Sequence, residues 1–198
     1  MATHTYALSI NYNAGGQFCT NVVHYDFDDS GYATTTAAAD ALIAGFNTNV
    51  KPALALMLPT ATTFLSAKAR AIHQPGGFES AFSYAPGTTG ARAGALSVSG
   101  VGPCLVFIPG GNAKERGRMF LPGVTDSDMQ DGFFTPAFIA VVVAQAATVI
   151  TPFTLAGGTT PVASLVIAKR AAPFLTRIVS HVLLCEYPAT IRRRQIPA

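Results

Sequence analysis

The residues of this 198-residue sequence that are best suited to chemistry are basic, and they concentrate near the C-terminus. Residues 169–198 have a net charge of +5, whereas the preceding 168 residues have a net charge of −2. A near-neutral body with one basic end indicates a polyanionic partner, and nucleic acid is the first candidate. The alternative is a solvated terminus that only keeps the chain soluble. The residues expected to bind nucleic acid are Lys169, Arg170, Arg192, Arg193 and Arg194.

The arginine triplet is expected to lie in a short basic tail, residues 188–198, at the end of a single domain that covers residues 1–198. Pro188 and Pro197 favour an extended segment whose side chains reach outward. Because arginine binds phosphate through its charge and its hydrogen-bond donors, we expect contacts with the backbone of the nucleic acid and no reading of its sequence.

A glycine-rich segment in the middle of the chain, residues 110–118, contains Lys114, Arg116 and Arg118. Its backbone N–H groups and three cations are suited to an anion, although a solvated turn explains the composition equally well. It lacks the spacing of a phosphate-binding P-loop. We expect Arg116 and Arg118 to form a subunit contact or an internal turn, because arginine pairs well with carboxylates and an acidic segment lies just downstream.

That acidic segment contains Asp126, Asp128 and Asp131, which together offer hard oxygen ligands for Ca²⁺. It lacks the glycine and the bidentate glutamate of an EF-hand loop. A second acidic cluster lies at residues 26–29. For both clusters, loop solvation and charge at a helix N-terminus are the favoured explanations. We therefore expect no cofactor, with Ca²⁺ as the weaker alternative.

Catalytic motifs are not evident in the sequence. The four histidines are isolated, and no nucleophile-elbow, zinc-protease or dinucleotide-binding pattern occurs. We therefore do not expect an enzyme.

The composition favours a protein that associates with copies of itself. Charged residues make up 12% of the chain and hydrophobic residues 49%, and such a low charge content makes a lone monomer poorly soluble. The scattered Cys19, Cys104 and Cys185 argue against a disulfide framework or a structural zinc site, and Cys104 and Cys185 are expected in the core. The N-terminus has no pattern of a secretory signal, so folding in a cytoplasm is expected.

Residues 133–150 contain no charged residue and are long enough to suggest a membrane-spanning helix. Pro136 and Pro152 bracket this run, Gln145 interrupts it, and the residues before it are acidic rather than basic. We therefore expect a helix buried in protein, with Thr135 as its N-cap and Pro136 in its first turn, and no membrane span.

Hydrophobic periodicity predicts about eight short strands and two helices. Residues 6–12 and 20–27 are expected to form a hairpin, and a helix is expected to follow Thr34 and to end before Pro52. This pattern predicts a mainly β fold, an antiparallel two-sheet sandwich of the jelly-roll type with two helices in the connections; an α+β layered fold is the alternative. The other predicted strands are residues 60–72, 78–84, 91–99, 104–108, 161–168 and 174–187.

The order of these motifs resembles that of short virion coat-type proteins of small environmental viruses. The matching residues are Arg116-Gly117-Arg118, Phe120 and Pro122-Gly123 in mid-chain and the triplet 192–194 at the end. The chain departs from that pattern after the triplet, where an Arg- and Gly-rich continuation is absent.

The resemblance implies a viral or phage capsid protein, found in the virion and assembled in the host cytoplasm, whose copies form a closed icosahedral shell around genomic nucleic acid. The alternatives are a non-virion nucleic-acid-binding module that works as a small oligomer, and a membrane-associated protein that uses residues 133–150.

Overall fold

The computed structural model describes residues 3–72, 79–94, 96, 101–107, 117–130, 133–150, 152, 163–171, 175–185 and 190–194. In these residues the fold is mainly β, with antiparallel sheets and with helices in the connections, as the sequence predicts. The strands are β1 (Thr3–Ala14), β2 (Gln17–Asp28), β3 (Thr62–Ala71), β4 (Glu79–Ser83), β5 (Val101–Phe107), β6 (Gly117–Phe120), β7 (Met129–Gln130), β8 (Phe133–Phe134), β9 (Ala163–Ala171), β10 (Leu175–Cys185) and β11 (Thr190–Arg194). Four of these, β6, β7, β8 and β11, are short strands that periodicity does not predict.

The predicted N-terminal hairpin is confirmed, and it belongs to a four-stranded sheet of order β2-β1-β3-β4. Ala14 pairs with Gln17, so the loop consists of Gly15 and Gly16 alone. Both glycines have positive φ, 59° and 83°, as a two-residue turn that matches the twist of the strands requires. The glycine pair therefore sets the register of both strands.

The alternation of apolar residues along β1 places one side of this sheet in the core. Tyr6, Leu8, Ile10 and Tyr12 are all at most 2% exposed. The same period in β3 leaves Lys68 and Arg70 exposed on the opposite side, so the strand predicted at residues 60–72 is confirmed and has one polar face.

A helical segment between β2 and β3 covers the buried side of this sheet. It consists of α1 (Thr35–Gly45), a π-helical turn (Phe46–Val50) and α2 (Lys51–Met57). The side chain of Thr34 caps α1 by accepting a hydrogen bond from the Ala37 N–H at 3.1 Å. Along its length, α1 packs against β3 and β4.

The predicted end of this helix before Pro52 is confirmed for α1, which ends at Gly45, but the helical chain continues beyond it. Pro52 lies in the first turn of α2, immediately after the π-helical turn. A proline ring clashes with the carbonyl four residues earlier in a regular α-helix, and the wider π turn, one residue longer, changes that geometry. The helical segment therefore continues through the proline instead of stopping at it.

A second antiparallel sheet has five strands in the order β11-β10-β9-β5-β6. Its edge is joined to the first sheet by the side chain of Asn21 on β2. The Asn21 amide donates to the Phe120 carbonyl at 2.5 Å and accepts from the Phe120 N–H at 2.8 Å. Because one side chain satisfies both backbone groups of Phe120, the two sheets meet at β2 and β6 without an unpaired polar group at this contact.

The strand predicted at residues 91–99 is not found in the described part of that range. Arg92 forms only an isolated bridge with Pro59, and Gly94 has a positive φ of 124°. The backbone N–H groups of Ala91 and Arg92 donate to Ala55 and Leu58 at the end of α2. Since these groups bond to a helix end, they do not join a sheet ladder.

Residues 136–150 form the predicted helix, α3 (Pro136–Ile150), with Thr135 as its cap. One side packs on α2 and is buried, whereas alanines and a threonine occupy the exposed positions. None of the helices in the described residues is both long and apolar enough to span a membrane. Residues from both sheets and from the helices form a single hydrophobic core that includes Cys19 and Cys104.

Candidate nucleic-acid interface

The structure places all five residues predicted to bind nucleic acid on two strands, β9 and β11, at the end of the five-stranded sheet that β11 closes. Lys169 and Arg170 lie on β9 and the arginine triplet lies on β11, while β10 runs between these two strands and pairs with both. Neighbouring strands are about 4.8 Å apart, so the backbones of β9 and β11 are separated by about 10 Å. Residues distant in sequence therefore belong to one small region of the fold.

The strand β10 adds a sixth basic residue, because Arg177 pairs directly with Lys169. The triplet pairs further along the same strand, where Arg194 is opposite His181 and Arg192 is opposite Leu183. About four residues separate the two basic sites along β10, a distance of about 13 Å. The basic residues therefore occupy two positions along the same three strands.

The charge of this region is uniform. The described residues of β9, β10 and β11 contain six Lys and Arg and no Asp or Glu. The other described residues contain five basic and seven acidic residues. The charge asymmetry seen in the sequence is therefore also an asymmetry between three neighbouring strands and the rest of the described fold.

The predicted tail, residues 188–198, differs from a free extended segment where the structure describes it. Thr190–Arg194 form β11, the last strand of the sheet, and pair with residues 181–185 of β10. Backbone pairing holds the positions of the three arginines relative to Lys169 and Arg177, whereas a flexible tail would let them vary. Residues 188, 189 and 195–198 are outside the described residues.

The other predicted arginine site is described only in part. Arg118 lies on β6 opposite Val106, and Arg116 is outside the described residues. The acidic segment downstream begins with a short 3₁₀ turn, Asp126–Asp128, in which Asp126 is exposed and Asp128 is buried. Asp131 also falls outside the described residues, so the grouping of Asp126, Asp128 and Asp131 around Ca²⁺ stays a prediction.

The buried Asp128 has an ion-pair partner that the sequence did not suggest. Its carboxylate pairs with the guanidinium of Arg92, and the same oxygen accepts a hydrogen bond from the Thr125 N–H at 2.5 Å. Arg92 also donates to the Met57 carbonyl at 3.3 Å, and its guanidinium carbon lies 4.8 Å from the centre of the Phe138 ring. This pair therefore connects the end of α2, the segment before α3 and α3 itself.

In the second acidic cluster, Asp29 is only 7% exposed. Its Oδ2 accepts a hydrogen bond from the Tyr6 hydroxyl at 2.8 Å and lies 2.7 Å from His4 Nδ1. Burial, followed by the contact with Asp29, raises the pKa of Tyr6 well above its ordinary value. These contacts join the start of β1 to the turn after β2.

The remaining carboxylates of that cluster are exposed or half-buried and form local hydrogen bonds. Asp26 accepts from the Thr5 hydroxyl at 2.7 Å, and Asp28 accepts from the Ser30 N–H at 3.1 Å. The contacts with Ser30 lower the pKa of Asp28. Within the described ranges, His, Cys, Asp and Glu side chains do not form a group of three suited to a metal ion.

The sequence did not predict the contacts of two basic residues, Arg177 and Arg92. Arg177 was counted with the basic end but not assigned to the site, since its pairing with Lys169 depends on the register of β9 and β10. Arg92 is 36 residues from Asp128, and local spacing carries no signal for such a contact.

Protein-family models, curated proteins and solved structures were compared with the chain, and none of them matches it.

Proposed function

We propose that this chain is a coat protein whose copies assemble into a closed shell and whose basic strands β9–β11 bind the enclosed nucleic acid. The observation that carries the proposal is the grouping of six basic and no acidic residues on these three neighbouring strands. A group of strands with charges of one sign attracts a polyanion through phosphate contacts and does not require a particular base sequence.

The rest of the chain supports association between copies. It contributes few charges, and 12% of all residues are charged. Large apolar side chains are also exposed on the described surface, among them Leu56 at 47% and Phe82 at 46%. Surfaces of this kind lose little solvation free energy when another copy covers them. We propose Arg116 and Arg118 as further contacts between copies, through carboxylates such as the exposed Asp126.

Multiple copies also explain how a small basic site binds strongly. Three arginines neutralise about three phosphates, which is a weak contact for a single subunit at physiological salt. In a shell the same contact is repeated, and the effective concentration of each further site is high. Strong binding is therefore expected of the assembly and weak binding of the isolated subunit.

The test replaces Arg192, Arg193 and Arg194 together, by Ser in one variant and by Lys in another. The Ser variant should assemble but contain less nucleic acid, and its salt dependence of binding should fall by about two to three in slope per subunit. The Lys variant keeps the charge and should bind like the original protein. Particle size is measured by light scattering after size exclusion, and nucleic acid content by ultraviolet absorbance.

A control variant, Arg70→Ser, removes an exposed cation from β3 and should leave the nucleic acid content unchanged. If the control loses as much nucleic acid per charge removed as the triplet variant does, only the total charge of the protein matters. A purified protein that remains a monomer or dimer at physiological salt contradicts the shell. If such a small oligomer still binds nucleic acid through the triplet, the non-virion binding module is the better description.

A further inference from the structure

The edge strand β4 has a feature that the proposed nucleic-acid contact does not use. It is the outermost strand of the four-stranded sheet, and in the described part of the chain it pairs on one side only, with β3. Four of its five residues are exposed, and the ring of Phe82 is 46% exposed. One row of backbone groups on this strand is therefore open to a further strand.

The orientation of these groups follows from one hydrogen bond. The N–H of Tyr84, just after β4, donates to the Leu65 carbonyl on β3 at 3.0 Å. In an antiparallel pair, every second residue directs its N–H and C=O toward the same neighbour. Ser80 and Phe82 consequently face β3, and the alternate residues face the open edge. These outward residues are Glu79, Ala81 and Ser83.

Edge strands are usually protected from further pairing by prolines, bulges or charged side chains. β4 contains no proline, and its register with β3 is regular over all five residues. Its one charged residue, Glu79, forms an ion pair with Lys68 on β3 at 2.8 Å. The carboxylate is thus neutralised by its own sheet, and the edge carries no unbalanced charge that repels another strand.

We propose that β4 pairs with β4 of a second copy of this chain in an antiparallel arrangement around a two-fold axis. In that register Ala81 is opposite Ala81, and Glu79 is opposite Ser83 of the other copy. Each of these pairs exchanges two backbone hydrogen bonds, because all three residues face the open edge. The two four-stranded sheets become one continuous sheet.

The side chains of β4 suit this partner. The small Ala81 lies on the axis, where two large side chains would collide. The two Glu79 residues are at opposite ends of the contact, separated by about 14 Å, so like charges do not meet. On the other side of the strand, Phe82 is opposite Ser80 of the second copy, and the exposed ring is partly covered.

The contact is small, because five residues per copy bury far less than the roughly 1,600 Å² of a standard stable interface. We expect it to be weak in isolation and to hold only when other contacts reinforce it. The inference rests on the proposed function to this extent: β4 pairing supplies one of the contacts between copies in the shell.

Cysteine cross-linking of the full-length protein tests the register. Ala81→Cys should form a covalent dimer under mild oxidation, since paired residues have Cα atoms about 5.5 Å apart, within the range of a disulfide. Ser83→Cys alone is the matched control and should not form a dimer, because its two copies are about 14 Å apart. A mixture of Glu79→Cys and Ser83→Cys subunits should form heterodimers. The unchanged protein corrects for its native cysteines.

A second variant, Ala81→Pro, removes an outward N–H and adds a ring at the open edge, while the bonds of Ser80 and Phe82 to β3 remain. It should keep its thermal stability and assemble at least several-fold less well. Equal cross-linking of Ala81→Cys and Ser83→Cys, or none of either, overturns the proposed pairing, as does unchanged assembly of Ala81→Pro. Particles without Ala81 cross-links contradict this inference alone, whereas cross-linked dimers that never form particles contradict the shell alone.

Discussion

The buried ion pair between Arg92 and Asp128 allows a quantitative prediction about stability. Replacing Arg92 by Ala leaves the Asp128 carboxylate buried, with a side chain only 7% exposed, and removes its positive partner. Breaking a buried pair by removing one member costs about 3–5 kcal/mol, because the remaining charge has lost both water and its counter-ion. We expect Arg92→Ala to destabilise the fold by about that amount.

Replacing the Asp128 carboxylate should destabilise the fold less than replacing Arg92 does. Asp128→Asn keeps an oxygen that accepts the Thr125 N–H, and Arg92 keeps the Met57 carbonyl and the Phe138 ring as partners. A loss of about 1–3 kcal/mol is expected for a buried hydrogen-bonding group that is only partly compensated. Arg92→Ala combined with Asp128→Asn removes both charges, and its loss of stability should be smaller than the sum of the two single losses by about 1–3 kcal/mol.

The assay is denaturant unfolding at a fixed protein concentration, followed by circular dichroism, because association shifts apparent stability. The matched control is the exposed ion pair between Lys68 and Glu79, whose side chains are 49% and 42% exposed. Lys68→Ala should change the free energy of unfolding by no more than about 1 kcal/mol, since solvent screens such pairs.

Equal effects of Arg92→Ala and Lys68→Ala would refute the reasoning, because burial is the only difference it invokes. Strictly additive effects in the double variant would also refute it, since additivity means that the two charges do not interact. Either result would mean that apolar packing around Phe138, and not the ion pair, holds α3 in its position.

Two further predictions concern the junction of the sheets and the buried phenols. Asn21→Ala should destabilise the fold by about 2–4 kcal/mol, because it leaves the N–H and carbonyl of the buried Phe120 without partners. The control is Thr20→Ala, at the neighbouring exposed residue. An equal loss of stability in both variants contradicts the bridging role of Asn21. Burial raises the pKa of three tyrosines above the ordinary value of 10.0, so their contribution to stability is complete below about pH 10 and is lost as the pH rises further. Unfolding midpoints measured against pH should therefore fall above pH 10, with tyrosinate absorbance appearing together with unfolding, and absorbance that appears earlier contradicts the burial argument. These tyrosines are Tyr6, Tyr12 and Tyr84.

The features that sequence predicts well are those decided by neighbouring residues. The N-terminal hairpin follows from period-two alternation and from Gly15-Gly16, and the start of α3 follows from Thr135 and Pro136. The antiparallel, mainly β fold with helices in the connections follows from the number and spacing of such segments. In each case the physical cause lies within a few residues of the element that it explains.

The features that sequence misses depend on contacts between distant segments. The proline rule ended the first helix before Pro52, where α1 does end, but it did not predict the π-helical turn and α2 that continue the helical chain. Residues 91–99 were predicted as a strand because their composition permits one, but Arg92 and its neighbours bond to the end of α2. The segment Thr190–Arg194 contains three consecutive arginines and no alternation, so only its backbone pairing with β10 identifies it as a strand.

The distribution of charge and of uncharged polar groups gives the two proposals a common physical basis. Three of the five basic residues that the structure describes outside β9–β11 have partners within the fold: Arg92 pairs with Asp128, Lys68 pairs with Glu79, and Lys51 lies over the rings of Phe64 and Tyr84. The exposed side of the four-stranded sheet instead carries a ladder of neutral hydrogen bonds that joins three strands. The Thr20 hydroxyl donates to the Asn11 Oδ1, and the Asn11 amide donates to the Ser66 hydroxyl, both at 2.8 Å.

A polar group that already has a partner loses little when water is removed, whereas an unpaired charge loses several kcal/mol. Another copy can therefore cover the ladder itself at low cost, whereas covering the exposed Arg70 on the same side of the sheet is unfavourable. The same covering is unfavourable on β9–β11, where six like charges lack acidic residues on the same strands. Contacts between copies are consequently expected on the four-stranded sheet and at β6, where Arg118 lies, whereas β9–β11 should face the nucleic acid inside the shell.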